Sequence, residues 1–213
     1  MQQKLSIKLL PSQAANELCI KQAIFDVLPV NQSALSGYCI HKKSIDARGK
    51  KVFINISLTA YINEPPQRLS HFKPQFKIPG PDAKKVIIIG AGPAGIFAAL
   101  KLLEAGIKPI IIERGKDVRN RRRDLAKLNK EGILNTESNY CFGEGGAGTY
   151  SDGKLFTRSS KRGDIQRILQ LFVHFGAPEN ILFEAHPHIG TNKLPGIITA
   201  LRECIITNGG EIL

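Results

Sequence analysis

Three glycines and a glutamate carry the clearest chemical signal in this sequence of 213 residues. Gly90, Gly92 and Gly95 follow GxGxxG order in the stretch GAGPAG, and Glu113 lies eighteen positions after the last of them. In this order the first glycine permits a tight strand-to-helix turn, the second lets the backbone approach a pyrophosphate, and the third lets the helix pack closely on the strand. A carboxylate at the end of the next strand binds ribose hydroxyls and repels a 2′-phosphate, which disfavours NADP. The spacing therefore predicts a dinucleotide site.

The elements that must position these residues are also readable. Val86–Ile89 is a continuous apolar run, which predicts a parallel strand buried on both faces. A helix follows the loop, with Pro93 and Ala94 at its start and Gly106 as its stop, and its amino terminus offers free N–H groups to phosphates. Pro109–Ile112 is a second buried strand. This strand–helix–strand context makes the motif specific, and the alternative is a glycine-rich turn in an unrelated βαβ unit.

A second glycine-rich stretch, CFGEGGAGTYSDGK, occupies residues 141–154. Successive glycine turns can direct several backbone N–H groups into one anion-binding concavity, and glycine lets the backbone approach a flat ring. We expect this loop to be a second cofactor-contact segment, and the alternative is a long surface loop with turn glycines. The residues expected to contact the cofactor here are Gly145, Gly146, Gly148, Thr149, Ser151 and Asp152.

The stretch VIIIGAGPAGIFAALKLLEAGIKPIIIERG resembles the amino-terminal signature of FAD-binding oxidoreductases of the glutathione-reductase-like superfamily. The stretches ESNYCFGEGGAGTYSDGKLFTR, HPHIGTNKL and KSIDARGK resemble one branch, the bacterial FAD-dependent (NAD-utilising) dehydrogenase-like proteins, and the likeness covers nearly the whole chain. This resemblance implies FAD as cofactor, with Glu113 on the ribose, Arg114 on the adenine side and the second loop near the flavin. A single lysine, Lys154, could lie near the flavin, although a solvated role is more common for such a side chain.

The resemblance also implies an enzyme, an FAD-dependent oxidoreductase that transfers hydride between flavin and a small-molecule substrate or NAD(P)H. No residue of the sequence identifies a catalytic acid or base. Because Glu211–Leu213 begins a new strand, we expect an amino-terminal fragment with an incomplete FAD-binding domain, which need not be active alone. Two alternatives stay open, an RNA-binding or RNA-modifying flavoprotein and a non-catalytic dinucleotide-binding module.

The fold class predicted for the whole chain is α/β. Residues 1–62 are expected to form a small α+β domain of order β-α-β-β, because residues 51–62 alternate between apolar and polar types and Ser12 can cap a helix. Residues 63–84 are expected to be a linker, since five of the twelve prolines fall between Asn63 and Lys85. Residues 85–213 are expected to form a Rossmann-like FAD-binding domain, with helices at 164–175 and 194–207 and a short strand at Ile181–Phe183.

Composition limits the remaining classes of function. With 42% hydrophobic and 23% charged residues, no long apolar run and no leader-like start, the sequence predicts a cytoplasmic protein without membrane contact. Four scattered cysteines and the pair His186 and His188 predict no metal site. The net charge of +12 is concentrated at residues 114–130, whose basic run is a solvated helix face, an anionic-ligand site or, less commonly, a nucleic-acid surface.

Overall fold

A computed structural model describes residues 1–66, 72–157 and 163–213. The chain divides into two compact units. Unit 1 comprises Met1–His71, Phe156–Gln166 and Glu179–Pro187, and unit 2 comprises Phe72–Leu155, Arg167–Pro178 and His188–Leu213. The predicted domain boundaries at residues 62 and 84 stay predictions, and residues 67–71 of the predicted linker lie outside the described residues.

Unit 1 is built on an antiparallel sheet of three strands in the order β1-β3-β2. Its elements are β1 (Gln2–Leu9), α1 (Pro11–Ala14), α2 (Glu17–Val27), β2 (Leu35–Asp46) and β3 (Phe53–Ile62). The predicted β-α-β-β order is confirmed, with two helices in the place of the single predicted one. The buried face is confirmed over residues 54–62, whereas Val52, predicted to share that face, precedes β3 and is exposed. Ile24 of α2 packs in one core with Ile56 and Leu58 of β3, and all three are almost fully buried.

The helix start predicted at Pro11 and Ser12 is confirmed, but the prediction of Ser12 as its N-cap is wrong. The chain also forms two short helices here instead of one. Pro11 is the first residue of α1, so Ser12 lies inside that helix and cannot cap it. The second helix, α2, has Asn16 as its N-cap, and the Asn16 side chain accepts a hydrogen bond of 2.9 Å from the Leu18 N–H. An Asn followed by an acidic residue is a better start signal than a serine after proline, because it both caps the helix and complements its dipole.

Unit 2 is built on a parallel sheet of three strands in the order β4-β5-β6. Its strands are β4 (Lys85–Ile89), β5 (Lys108–Ile112) and β6 (Glu211–Ile212), and its helices are α3 (Pro93–Glu104), α4 (Val118–Glu131), α5 (Ile165–His174, most of which belongs to this unit) and α6 (Leu194–Thr207). The predicted β4–α3–β5 unit and the helices α5 and α6 are therefore confirmed. The molecule is a mixed α/β protein with a parallel three-stranded sheet.

The short strand predicted at Ile181–Phe183 is wrong. Glu179–Leu182 forms a 3₁₀ helix, and the N–H groups of Phe183 and Glu184 both donate to the Asn180 carbonyl oxygen, at 3.2 and 3.0 Å. These local hydrogen bonds hold the backbone in a turn. An apolar run of three residues is too short to distinguish a strand from such a helical turn.

The expectation that β4 is buried on both faces is also wrong for the described residues. Ile88 and Ile111 face α3, and Ile111 is fully buried. On the opposite face Ile87 is 63% exposed and Ile89 is 80% exposed. The apolar run therefore predicted a parallel strand correctly, but it did not predict whether one or both faces of the sheet are covered by helices.

None of the helices in the described ranges combines the length and the apolar character needed to cross a bilayer. Within the same ranges, no three His, Cys, Asp or Glu side chains come together in a way that could hold a metal ion.

A candidate dinucleotide site at two adjoining glycine loops

The first glycine loop connects β4 to α3 by a turn that requires glycine at two positions. Gly90 has a φ of +93°, a left-handed value that suits glycine, and its N–H donates to the Ile112 carbonyl oxygen at 2.7 Å. A Cβ added at Gly95 would lie 2.0 Å from the Gly90 oxygen and 3.2 Å from Ile88 Cγ2. Any side chain at Gly95 would therefore push the helix away from the strand.

The amino terminus of α3 is arranged as an anion site. Gly92 is the N-cap and Pro93 is the first helical residue, which carries no N–H group. The next two N–H groups, those of Ala94 and Gly95, have no acceptor within the helix, because the first turn of any helix leaves its donors free. These donors and the positive end of the helix dipole suit a phosphate.

Gly92 itself has no structural requirement for glycine. Its φ of −74° is open to any residue, and a Cβ added there would meet no atom within 4 Å. Neither backbone strain nor protein packing therefore explains why position 92 is a glycine. Free space beside helical N–H donors is what the close approach of a phosphate group needs, so the first loop fits a dinucleotide.

Glu113, directly after β5, joins its own strand to the first loop. Its Oε2 accepts a hydrogen bond from the Ala91 N–H at 2.7 Å, and its Oε1 accepts one from the Gly115 N–H at 2.8 Å. A carboxylate has about four lone-pair positions, so each oxygen can still accept a hydrogen bond from a ribose hydroxyl. The structure thus holds the predicted ribose residue next to the loop predicted to bind the phosphates.

Arg114 follows Glu113 and contacts the segment that leads into the second loop. Its guanidinium forms an ion pair of 2.5 Å with Glu137 and lies over the Phe142 ring at 4.8 Å. The Arg114 side chain is 63% exposed, so this pair is worth at most about 1 kcal/mol and leaves the side chain free to rearrange around a ligand.

The second glycine loop adjoins the first. The Gly145 N–H donates to the Ala91 carbonyl oxygen at 2.8 Å. A Cβ on Gly146 would lie 3.4 Å from Pro93 Cδ and 3.6 Å from Gly92 Cα. Gly146–Gly148 forms one 3₁₀ turn, and the N–H of its first residue donates to the Gly143 carbonyl oxygen at 2.9 Å. The two loops therefore make one continuous surface beside the amino terminus of α3.

The polar residues of the second loop have protein partners. Thr149 is buried, and its hydroxyl donates to the Glu144 carbonyl oxygen at 3.1 Å, so its side chain supports the loop from within. The Ser151 hydroxyl donates to the Gly148 carbonyl oxygen at 2.7 Å. Asp152 pairs with Lys154 at 3.0 Å, and the hydrogen bond from Lys154 lowers the pKa of the Asp152 carboxyl below its usual value. Lys154 thus has an anionic partner beside it in unit 2.

Glu144 is a buried carboxylate that the sequence did not single out. It is 3% exposed, and its Oε2 accepts hydrogen bonds from the Val118 N–H at 2.8 Å and from Arg202 Nη1 at 3.1 Å. Among the described residues its Oε1 has no hydrogen-bond partner. Burial raises the pKa of the Glu144 carboxyl, against the opposing effect of these two donors. The Glu144 side chain therefore connects the second loop to the first residue of α4 and to α6 by hydrogen bonds.

Arg121 is the second residue that the sequence did not single out. It belongs to the run RNRRR at 119–123, and its side chain is fully buried while Arg122 and Arg123 are exposed. Its guanidinium donates to oxygen atoms of the second loop and of the segment before it. The sequence could have indicated that Arg121 lies in a helix. It could not indicate which arginine of the run is buried, because that depends on the segments that pack against the helix.

Comparison with known proteins agrees with the site. The family described as "FAD binding domain" matches residues 83–129, and a family described as a domain of unknown function matches residues 1–61. An uncharacterized protein of Clostridium beijerinckii is 37% identical over 207 residues, which is 91% of this chain and 39% of that protein. The chain thus spans well under half the length of this relative. The match over the first loop supports an FAD-binding, oxidoreductase-like class of protein.

Proposed function

We propose that this chain is the cofactor-binding part of an FAD-dependent dehydrogenase, in which hydride passes between the flavin and a small-molecule substrate or NAD(P)H. One observation carries the proposal. The free helical donors after Gly92, the Glu113 carboxylate and the second glycine loop all lie around a single surface. Bound FAD would supply a ring that accepts and releases hydride.

Each part of the surface has a role in binding. The Ala94 and Gly95 N–H groups would hold the diphosphate, because they are free donors at the positive end of a twelve-residue helix. The Glu113 carboxylate would accept hydrogen bonds from the ribose hydroxyls. The turn at Gly146–Gly148 would continue the surface along the ligand, since the preceding Gly145 is hydrogen-bonded to the first loop. The chain's own residues therefore bind and orient the cofactor.

NAD(P)H as the electron donor and a small-molecule substrate follow from the sequence resemblance, and the described residues include no assigned acid or base. Because the chain spans 39% of the relative from Clostridium beijerinckii, the substrate and the complete reaction belong to the proposal for the whole protein.

The test is to purify the chain and measure FAD binding directly. We expect a flavin visible spectrum, either as isolated or after FAD is added, and a saturable change in flavin fluorescence during titration. Glu113→Gln should raise the Kd for FAD about tenfold, the cost of weakening charge-assisted hydrogen bonds to the ribose, while circular dichroism stays unchanged. A folded wild-type chain that retains no flavin after excess FAD would refute the proposal. Oxidation of NADH with an artificial acceptor would distinguish a dehydrogenase from a non-catalytic binding module.

A further inference from the structure

Arg121 is unusual among the basic residues of α4 because every nitrogen of its guanidinium points into the protein. Its acceptors are six oxygen atoms, all between residues 139 and 149. Nε donates to Asn139 O at 2.8 Å, Nη2 donates to Tyr140 O at 3.0 Å, and Nη1 lies within 3.3 Å of Gly143 O, Glu144 O, Gly146 O and Thr149 Oγ1. One side chain therefore holds the backbone from residue 139 to residue 149, which includes the first part of the second loop.

The charge of Arg121 has no direct counterpart within the described residues. All six acceptors are neutral oxygens, and no carboxylate oxygen in the described ranges lies within 4.0 Å of its guanidinium. The carboxylates of Glu113 and Glu144 act on it electrostatically, and neither is hydrogen-bonded to it. Burial lowers the pKa of Arg121, but an arginine remains protonated at neutral pH.

A buried charge without an ion pair is costly, so its retention calls for an explanation. Neutral hydrogen bonds satisfy the donors of Arg121 but leave its net charge in place. A neutral glutamine could supply hydrogen bonds to part of the loop without burying a charge. An anion that arrives with a ligand would complete the electrostatics of this region.

The position of Arg121 indicates where that anion lies. Nη1 is 2.8 Å from the Gly146 carbonyl oxygen, and Gly146 adjoins Gly92 and Pro93 at the start of α3. A single residue of the second loop thus separates the buried guanidinium from the first loop. The free donors of α3 and the buried positive charge act on the same surface.

We propose that Arg121 is a positioning residue of the dinucleotide site, which holds the second loop against the first and places a buried positive charge behind the diphosphate of the ligand. This inference rests on the proposed FAD site. It has two parts, the geometry of the loop and the charge, and they can be separated because lysine keeps the charge but not the three-nitrogen fork.

The experiment compares wild-type protein, Arg121→Gln and Arg121→Lys, with Arg122→Gln as the matched control, since Arg122 is exposed on the same helix. The Kd for FAD, ADP and AMP is measured for each. We expect Arg121→Gln to raise the Kd for FAD at least tenfold and to reduce the preference for ADP over AMP about fivefold, because the second phosphate loses its attraction to the charge. Arg122→Gln should change each Kd less than threefold. Arg121→Lys should weaken FAD binding but keep the preference for ADP.

A purely structural role would lower the affinity for ADP and AMP by the same factor, and that result would overturn the inference. So would Arg121→Gln with wild-type affinity for FAD, or Arg121→Lys without a recovered ADP preference. If Arg121→Gln does not fold, Arg121→Met carries the test, because it also removes the charge but keeps a long unbranched side chain, and a reduced ADP preference is again the expected result. Failure of the proposed function looks different, because the wild-type protein itself would then bind no FAD.

Discussion

Replacing Gly92 by alanine should separate ligand binding from folding. The added methyl group meets no protein atom within 4 Å, and the φ of −74° is ordinary for alanine. Alanine reduces the entropy of the unfolded chain, which stabilises a protein by about 0.4–1 kcal/mol, but it is a poorer N-cap than glycine by a similar amount. These effects offset each other, so we expect the free energy of unfolding to stay within about 1 kcal/mol of wild type. For a chain of this size the melting temperature should then move by no more than about 4 °C.

Binding should respond differently. If the diphosphate lies against Gly92, the methyl group occupies the space where the ligand approaches the backbone, and we expect the Kd for FAD to rise at least tenfold, or about 1.4 kcal/mol. Gly95→Ala is the matched control, because its Cβ would lie 2.0 Å from the Gly90 oxygen and cannot be accommodated without moving the helix. We expect that variant to lose about 2 kcal/mol or more of stability, as over-packed sites do.

The assay measures thermal unfolding without ligand and FAD titration by flavin fluorescence on the same preparations. Gly92→Ala should unfold like wild type and bind weakly, whereas Gly95→Ala should unfold at a lower temperature. Wild-type affinity for FAD in a folded Gly92→Ala variant would refute the reasoning, because the space at Gly92 would then have no ligand. A large loss of stability in Gly92→Ala would instead show that the protein itself fills that space.

Two further predictions concern residues outside the first loop. Burial raises the pKa of the Glu144 carboxyl above its ordinary value of 4.5. The folded protein therefore keeps this carboxyl protonated to a higher pH than the unfolded chain does. The stability that Glu144 contributes should be complete below pH 4.5 and should fall as pH rises through the raised pKa. The difference in unfolding free energy between wild type and Glu144→Gln, from urea titrations across pH, should therefore decrease with rising pH, and a pH-independent difference would contradict this account. Asn16→Ala should lower the free energy of unfolding by about 1 kcal/mol through loss of the α2 cap, while Ser12→Ala, inside α1, should change it by less than about 0.5 kcal/mol. Equal losses in the two variants would argue against Asn16 as the cap.

The βαβ unit of unit 2 was predictable because its determinants are local. The apolar strand, the GAGPAG loop, the helix with its glycine stop and the terminal glutamate follow one another within 29 residues, from Lys85 to Glu113. Each residue type has a conformational reason that needs no distant partner. The bounds of β4, α3 and β5 accordingly fall within a residue or two of those expected.

The second loop was harder to interpret because its partners are distant in sequence. Arg121 and the oxygens that it binds are 18 to 28 positions apart, and Glu144 reaches Arg202 over 58 positions. No periodicity or motif connects such residues. The four basic or polar neighbours of Arg121 made its burial still harder to predict, since a charge run ordinarily indicates a solvated helix face.

Gly148 extends the argument for a ligand from the first loop into the second. Like Gly92, it has a φ that other residues adopt and would place a Cβ in open space. Open space alone is not distinctive, because Gly49, in an exposed turn of unit 1, has it as well. Gly148 differs because it ends a 3₁₀ turn that follows directly on Gly145, whose N–H donates to the Ala91 carbonyl oxygen of the first loop. Two glycines without a structural requirement therefore lie along one connected surface, which favours a ligand long enough to contact both loops over one bound at the helix terminus alone.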